Sequence, residues 1–349
     1  MIKTVAFVNN PSVERLLNLW AERYKLDLSS LSLNDASSDE LVQVASPQGR
    51  ASTAAKMKEN ILNVNCQMAW IQTKTLYAYI PNILDLNEAR RITQFAFRVY
   101  RKLLEIYQQQ SLTEAATNPE ESFAALGMLT IRELAYALEP TLLMFQEQHM
   151  ISKDWRSLGF MTSQLNFCNK LILKKLQPIE QTLLAPYLRF IEEQVAMPWQ
   201  RVCVAASKHD VGGAKLNLVE KMLPAAPEIA KAIYQRLFEL LPNHRSRRGT
   251  LSDANVMHSC LRDLNMFQAY LWLCFLEDSI APIEHELLPL CAMVVEGVNI
   301  KWDMTQKWCE VLASEILSRI TQEEKELLLP YTQQLQAVFW QERHRLGFP

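Results

Sequence analysis

The sequence predicts an all-α protein: a large multi-helix bundle, in one body or in two helical lobes, with a degenerate helical repeat as a variant. Three observations carry this expectation. Glycine is scarce, eight in 349 residues against an average of about 7%; strand-rich folds use glycine in turns and bulges. Apolar residues recur at three- and four-residue spacing along much of the chain, the signature of helices with one buried face. Between Met266 and Leu276 only Gln268 is plainly polar. A helix apolar around its whole circumference must be surrounded by other helices. That run opens a Trp- and Cys-rich stretch, Leu264 to Leu312, around which the rest of the chain is expected to pack.

The elements follow in order. Residues Ile2 to Val8 suit a short strand or extended arm. Asn10-Pro11 is a cap and first-turn signal for a helix reaching about Tyr24, with Val13, Leu16, Leu17, Trp20 and Tyr24 on one side. Residues 27–50 have loop composition with a short helix after Ser38. A long helix is expected over 51–80, its packing stripe formed by Met57, Ile61, Val64, Met68, Ile71 and Tyr79, and Pro81 ends it. Asp85 or Asn87 caps the next helix, to about Gln110, and the short connection predicts an antiparallel hairpin. The polar segment Ser111 to Glu121 reads as a joint.

Helices then run from Pro119 through Met150, broken near Gly127 and Pro140, and from Lys153 to Lys208, with Pro178, Pro186 and Pro198 as kinks or restarts. His209 to Pro227, with the Gly212-Gly213 pair, reads as a second joint. A helix from Pro227 to Leu241, the loop Asn243 to Thr250 and a Ser252 cap lead into the central stretch. Thr321 and Glu324 form a capping box for a last helix ending near Arg345. The organisation expected is a 1–50 arm, helix and loop; a 51–208 helical lobe; a 209–227 joint; and a 228–349 lobe with the Trp/Cys-rich core. The segments opening at Pro178, Pro282 and Gln322 resemble one another, each with a tryptophan some twenty residues on. Their unequal intervals argue as well for ordinary helix starts as for duplication.

Composition excludes some functions. The formal charge of −2 predicts neither nucleic acid nor an anionic membrane as partner. No apolar run approaches the ~18 residues of a bilayer span. The first residues lack a secretory h-region. The seven cysteines are scattered, without CxxC, and read as reduced core thiols of a cytoplasmic protein.

Chemistry-bearing motifs are mostly missing. The phosphate-loop and nucleophile-elbow signatures are absent. None of the six histidines has a glutamate three positions earlier, so no ExxH pair offers a di-iron site, and HExxH is missing too. No catalytic residue, metal or cofactor is therefore called for. His258-Ser259-Cys260 is the nearest approach to a metal site, but residues two apart do not share a helix face, which leaves a polar helix start and a core thiol. Glu284-His285-Glu286 follows Pro282 and suits first-turn acids serving the helix dipole.

Two basic features remain. Arg90, Arg91, Arg98, Arg101 and Lys102 fall on about one third of the 85–110 helix at 100° per residue, either a solvated face or a docking surface for an acidic partner. His244 to Arg248 is a compact loop whose Arg245, Arg247 and Arg248 suit an anion or an acidic segment. The leading functional expectation is a non-catalytic interaction or regulatory protein that binds an acidic protein surface through these residues. The alternative is a helical protein holding an apolar ligand or pigment in its Trp/Met/Cys-rich centre, with or without catalysis. Nucleic-acid binding through the basic patches comes third; no aromatics are interleaved with the His244 to Arg248 loop.

Overall fold

The computed structural model describes residues 10–27, 38–78, 86–110, 123–152, 156–298 and 300–347. Within these the chain is all-α, with fifteen α-helices, short 3-10 turns and one two-stranded hairpin. No described helix is long and apolar enough to cross a membrane. The expected strand over 2–8, the Pro81 stop, the Asp85 cap and the 111–121 joint lie outside the described residues. Contacts divide the chain into two compact units, Ala21–Val195 and Met1–Trp20 with Ala196–Pro349.

The Ala21–Val195 unit holds α2 (Ser38–Ala45), α3 (Pro47–Ala55), α4 (Glu59–Leu76), α5 (Leu86–Tyr107), α6 (Ile131–Ser152), α7 (Arg156–Leu173) and α8 (Pro178–Ala196, but for its last residue). The expected 51–80 helix is thus two helices, broken at Lys56–Lys58. The break is pinned where Lys56 Nζ meets Glu180 Oε2 at 2.7 Å and Thr53 Oγ1 donates to Glu180 Oε1 at 3.0 Å. Beyond it, α4 buries Leu62, Asn65, Cys66, Ala69 and Thr73. The predicted packing stripe is therefore corrected: Met57 is buried, but Val64, Met68 and Ile71 are 55%, 44% and 53% exposed.

On α5 the expected apolar face holds, with Ile92, Phe95, Ala96, Val99, Tyr100, Leu103 and Ile106 all buried. Helix α7 brings polar groups into the core, satisfied in a network. Tyr100 Oη donates to Asn169 Oδ1 at 2.7 Å, and the Asn169 and Asn166 amides donate to the buried Glu192 carboxylate at 2.9 and 3.1 Å. Helix α6 runs through Pro140, where a break was expected, and α8 runs through Pro186, one of the expected kinks or restarts.

The second unit contains α1 (Pro11–Ala21, but for its last residue), α9 (Trp199–Ala206), α10 (Ala214–Met222), α11 (Ala226–Leu240), α12 (Ala254–Glu277), a π-helical turn (Ile283–Leu287), α13 (Leu288–Val298), α14 (Trp302–Ser318) and α15 (Gln322–Arg345). The Asn10 cap is present: its Oδ1 accepts from the Ser12 and Val13 amides at 3.0 and 3.2 Å. Trp20 stacks on Trp199 at 4.1 Å and 18°, seating α1 on this unit. Residues 209–227 carry α10, whose Leu216, Leu218, Val219 and Met222 are buried.

Helix α12 is the core of this unit: every residue from Leu264 to Leu276 is buried. Asn265 and Gln268 are its buried polar residues, and Gln268 Nε2 donates to Ala226 O at 3.1 Å, tying α12 to the start of α11. Trp302 is buried with its indole donating to Phe339 O at 3.1 Å, which joins α14 to α15. The Thr321–Glu324 capping box is present. The three resembling segments each open a helix, but Trp199 and Trp302 are buried while Trp340 is 51% exposed. Glu286 does more than serve a helix dipole: it is buried in the π-helical turn and paired with Arg201 of α9.

Candidate functional site

The Arg-rich loop closes as a tight hairpin. Strand β1 (Arg245–Ser246) pairs antiparallel with β2 (Gly249–Thr250), and Arg247-Arg248 form the turn. Ser246 Oγ accepts from the Arg248 amide and donates to Gly249 O, both at 3.1 Å. Gly249 has φ +124°, and a Cβ there would overlap the Asp253 carboxylate; only glycine suits both demands. Asp253 Oδ2 accepts from the Thr250 amide at 2.6 Å and from its hydroxyl at 3.0 Å. The N-cap position of α12 is thus Asp253, not the expected Ser252, and its carboxylate holds the hairpin rather than the helix amides. Tyr234 of α11 donates its hydroxyl to Leu251 O.

Cys260 stands two turns into α12, just beyond this hairpin. Of the seven cysteines it alone is partly exposed; the other six are buried. Its crowded surroundings push the thiol up to about 12: burial is the main cause and Asp263 adds to it, while Arg262 and Arg248 oppose it. Both guanidinium groups therefore act on the sulfur. Arg262 also holds Asp263 in place, with Nε and Nη2 donating to Oδ1 at 2.9 and 2.7 Å. Both bonds go to one oxygen, which leaves Oδ2 able to accept from a ligand donor. Burial and then Cys260 raise the Tyr234 hydroxyl, so that side chain lines the same place. On the neighbouring turns Phe238 and Met257 are 43% and 42% exposed.

One expected site lies here. Arg248 of the loop is half-buried beside the thiol, while Arg245 and Arg247 are exposed on the hairpin. The other candidates, Arg90, Arg91, Arg98, Arg101 and Lys102, lie in the Ala21–Val195 unit. Three of those five have internal acids: Arg91 pairs with Glu88, Arg101 lies 3.6 Å from Glu59, and Lys102 lies 3.3 Å from Glu105. Arg90 and Arg98 are exposed, with no acid in ion-pair range among the described residues.

Cys260, Arg262 and Asp263 were missed as a site because His258-Ser259-Cys260 was weighed only for metal. The available signal was a cysteine outside any long apolar run, followed two and three residues on by an arginine and an aspartate. The Trp/Met/Cys-rich centre is tightly packed along α12: Leu271, Leu273, Cys274 and Phe275 are 0% exposed. Burying one such leucine or phenylalanine side chain stabilises by roughly 1.5–3 kcal/mol.

A family model described as phycobilisome protein matches residues 205–337. The match spans the hairpin and Cys260 and lies wholly within the second unit. No curated protein and no solved structure matches the chain.

Proposed function

We propose that the second unit binds a bilin, an open-chain tetrapyrrole pigment, at the α11–hairpin–α12 site, with Cys260 as its covalent anchor. The family match favours a pigment-binding helical protein over the non-catalytic interaction protein expected from sequence. It supports the pigment alternative, and the tight packing of the Leu271–Phe275 centre argues for a different place, the polar start of α12.

The donor set suits the ligand. A bilin supplies visible absorption, two propionate carboxylates, pyrrole N–H donors and an exocyclic double bond that a thiol can add across. Cys260 offers a partly exposed thiol. Arg248 offers a guanidinium fork to a propionate, and Arg262, whose Nε and Nη2 hold Asp263, adds a second positive charge. Asp263 offers a carboxylate oxygen to pyrrole N–H groups. Tyr234, Phe238 and Met257 offer apolar and aromatic cover. The observation that carries the reading is the coincidence of the one partly exposed thiol with two arginines and an aspartate inside the matched segment. Because the thiol is held protonated at neutral pH, attachment is expected to be slow without a base or a helper enzyme.

Titrating the full chain with free biliverdin tests this. The expected result is one bilin per chain, with an altered visible band. Cys260→Ser should keep reversible binding, and Arg262→Glu should weaken it at least ~10-fold, as for a lost charge-assisted contact. A bilin spectrum unchanged by the protein would contradict the reading. It would also restore the colourless, cofactor-free protein expected from the sequence.

A further inference from the structure

The outer face of the α4–α5 hairpin joins two features that neither helix explains by itself. The first is the exposed ridge Val64, Met68 and Ile71, spaced i, i+4, i+7 on one side of α4. The second is the cationic line of α5, in which Arg90 and Arg98 have no acid in ion-pair range among the described residues. Two contacts fix how these lie side by side. Glu59 sits 3.6 Å from Arg101, and Gln164 Nε2 reaches both Cys66 O and Thr93 Oγ1 at 3.4 Å. The helices therefore run antiparallel, with Val64 level with Phe95–Ala96 and Met68–Ile71 level with Glu88–Ile92.

Each feature alone carries a cost. Apolar side chains about half exposed forgo burial worth roughly 0.8 kcal/mol per CH₂, and like charges one turn apart cost a few tenths of a kcal/mol each. Together they make a surface with an apolar strip beside a positive rim. The geometry points to the docking of one acidic amphipathic helix from a protein partner: its apolar stripe on Val64, Met68 and Ile71, its carboxylates on Arg90 and Arg98. From Arg90 to Arg101 the cationic line spans about 16 Å at 1.5 Å per residue, three turns of a partner helix. A groove of about 330 Å³ between α3, α4 and α5 continues the face past Arg101, lined by Ala54, Met57 and Leu104 among others.

An anionic lipid surface fits less well. Glu59 and Glu105 stand among the cations with side chains 70% and 53% exposed. The ridge also carries no aromatic residue of the kind that anchors interfacial helices.

The test uses the full chain and two synthetic 18-residue helical peptides with identical leucine stripes, one flanked by glutamates and the other by lysines. Fluorescence anisotropy should show the acidic peptide binding at least ~10-fold more tightly than the basic one, with affinity falling as salt rises. The variant Arg90→Glu/Arg98→Glu should reverse that preference. Met68→Ser/Ile71→Ser should weaken the acidic peptide by a similar factor. These positions are exposed, so unfolding transitions should stay within ~0.5 kcal/mol of the parent. Should the serine variant melt early, Val64→Ala takes its place. Equal binding of both peptides, no binding of either, or charge-reversed and ridge variants indistinguishable from the parent would each overturn the proposal. So would binding to phosphatidylserine vesicles in place of the acidic peptide.

Discussion

Replacing Arg201 with methionine should destabilise the second unit in a pH-dependent way. Arg201 donates through Nη1 to Glu286 Oε1, and its Nη2 lies 3.6 Å from Glu277 Oε2. The Glu286 side chain is 9% exposed and that of Arg201 22%. Burial raises the Glu286 carboxyl above its usual range, while Arg201 and the Tyr270 hydroxyl pull it back. Removing Arg201 takes away the main opposing charge and leaves a buried carboxylate. Breaking a buried pair from one side costs 3–5 kcal/mol, and the partial exposure of Arg201 argues for the lower end, about 3 kcal/mol. For a unit of this size that lowers the melting temperature by roughly 6–12 °C. The sign follows from linkage. A carboxyl raised in the folded state loses stability as pH climbs from its unfolded value through its folded one. The penalty should therefore be larger at pH 8 than at pH 5, because the raised Glu286 carboxyl takes up its proton as the pH falls. Thermal unfolding followed by circular dichroism across that range, with Glu286→Gln and the double variant, reads this directly. The double variant should recover most of the loss. A deficit equal at both pH values, or additive single effects, would refute the reasoning.

Three further outcomes follow from the same contacts. Native protein should offer one thiol to a maleimide, at a rate climbing about tenfold per pH unit below the raised Cys260 value of about 12; Cys260→Ser should remove that reaction until the chain unfolds. Burial raises Glu139 to about 7, so its ionisation costs folded-state stability as pH rises from about 4.5 through 7; Glu139→Gln should raise the melting temperature at pH 8 and leave it unchanged at pH 4. Trp302→Phe should remove the indole's bond to Phe339 O, a carbonyl inside α15 that keeps its intrahelical donor, lowering the urea unfolding free energy by about 0.5–1.5 kcal/mol.

The helices were legible because their signals are local. The Asn10 cap, the Thr321–Glu324 box and the all-round apolar run of α12 each depend on residues within one or two turns. The α4 stripe misled because sequence spacing reports which residues share a face, not which face is covered. The decision came from distant partners: Glu180 of α8 breaks the helix at Lys56, and Gln164 of α7 meets Cys66 on the opposite side. Proline was over-read as a stop at Pro140, which sits within a continuous helix. At the candidate site the sequence singled out Arg245, Arg247 and Arg248. It could not show that Arg248 comes within electrostatic range of Cys260, because that approach depends on the hairpin held by Asp253 and Gly249. Glu286 escaped for a similar reason, its partner Arg201 lying on another helix.

The central claim is that Cys260 carries a pigment. The most direct measurement is mass spectrometry of the tryptic peptide Gly249–Arg262 from protein purified out of its own cells, alongside a visible absorption spectrum. The account predicts a bilin-mass addition on Cys260 and an absorption band that survives denaturation. Unmodified Cys260 in a colourless protein would contradict it.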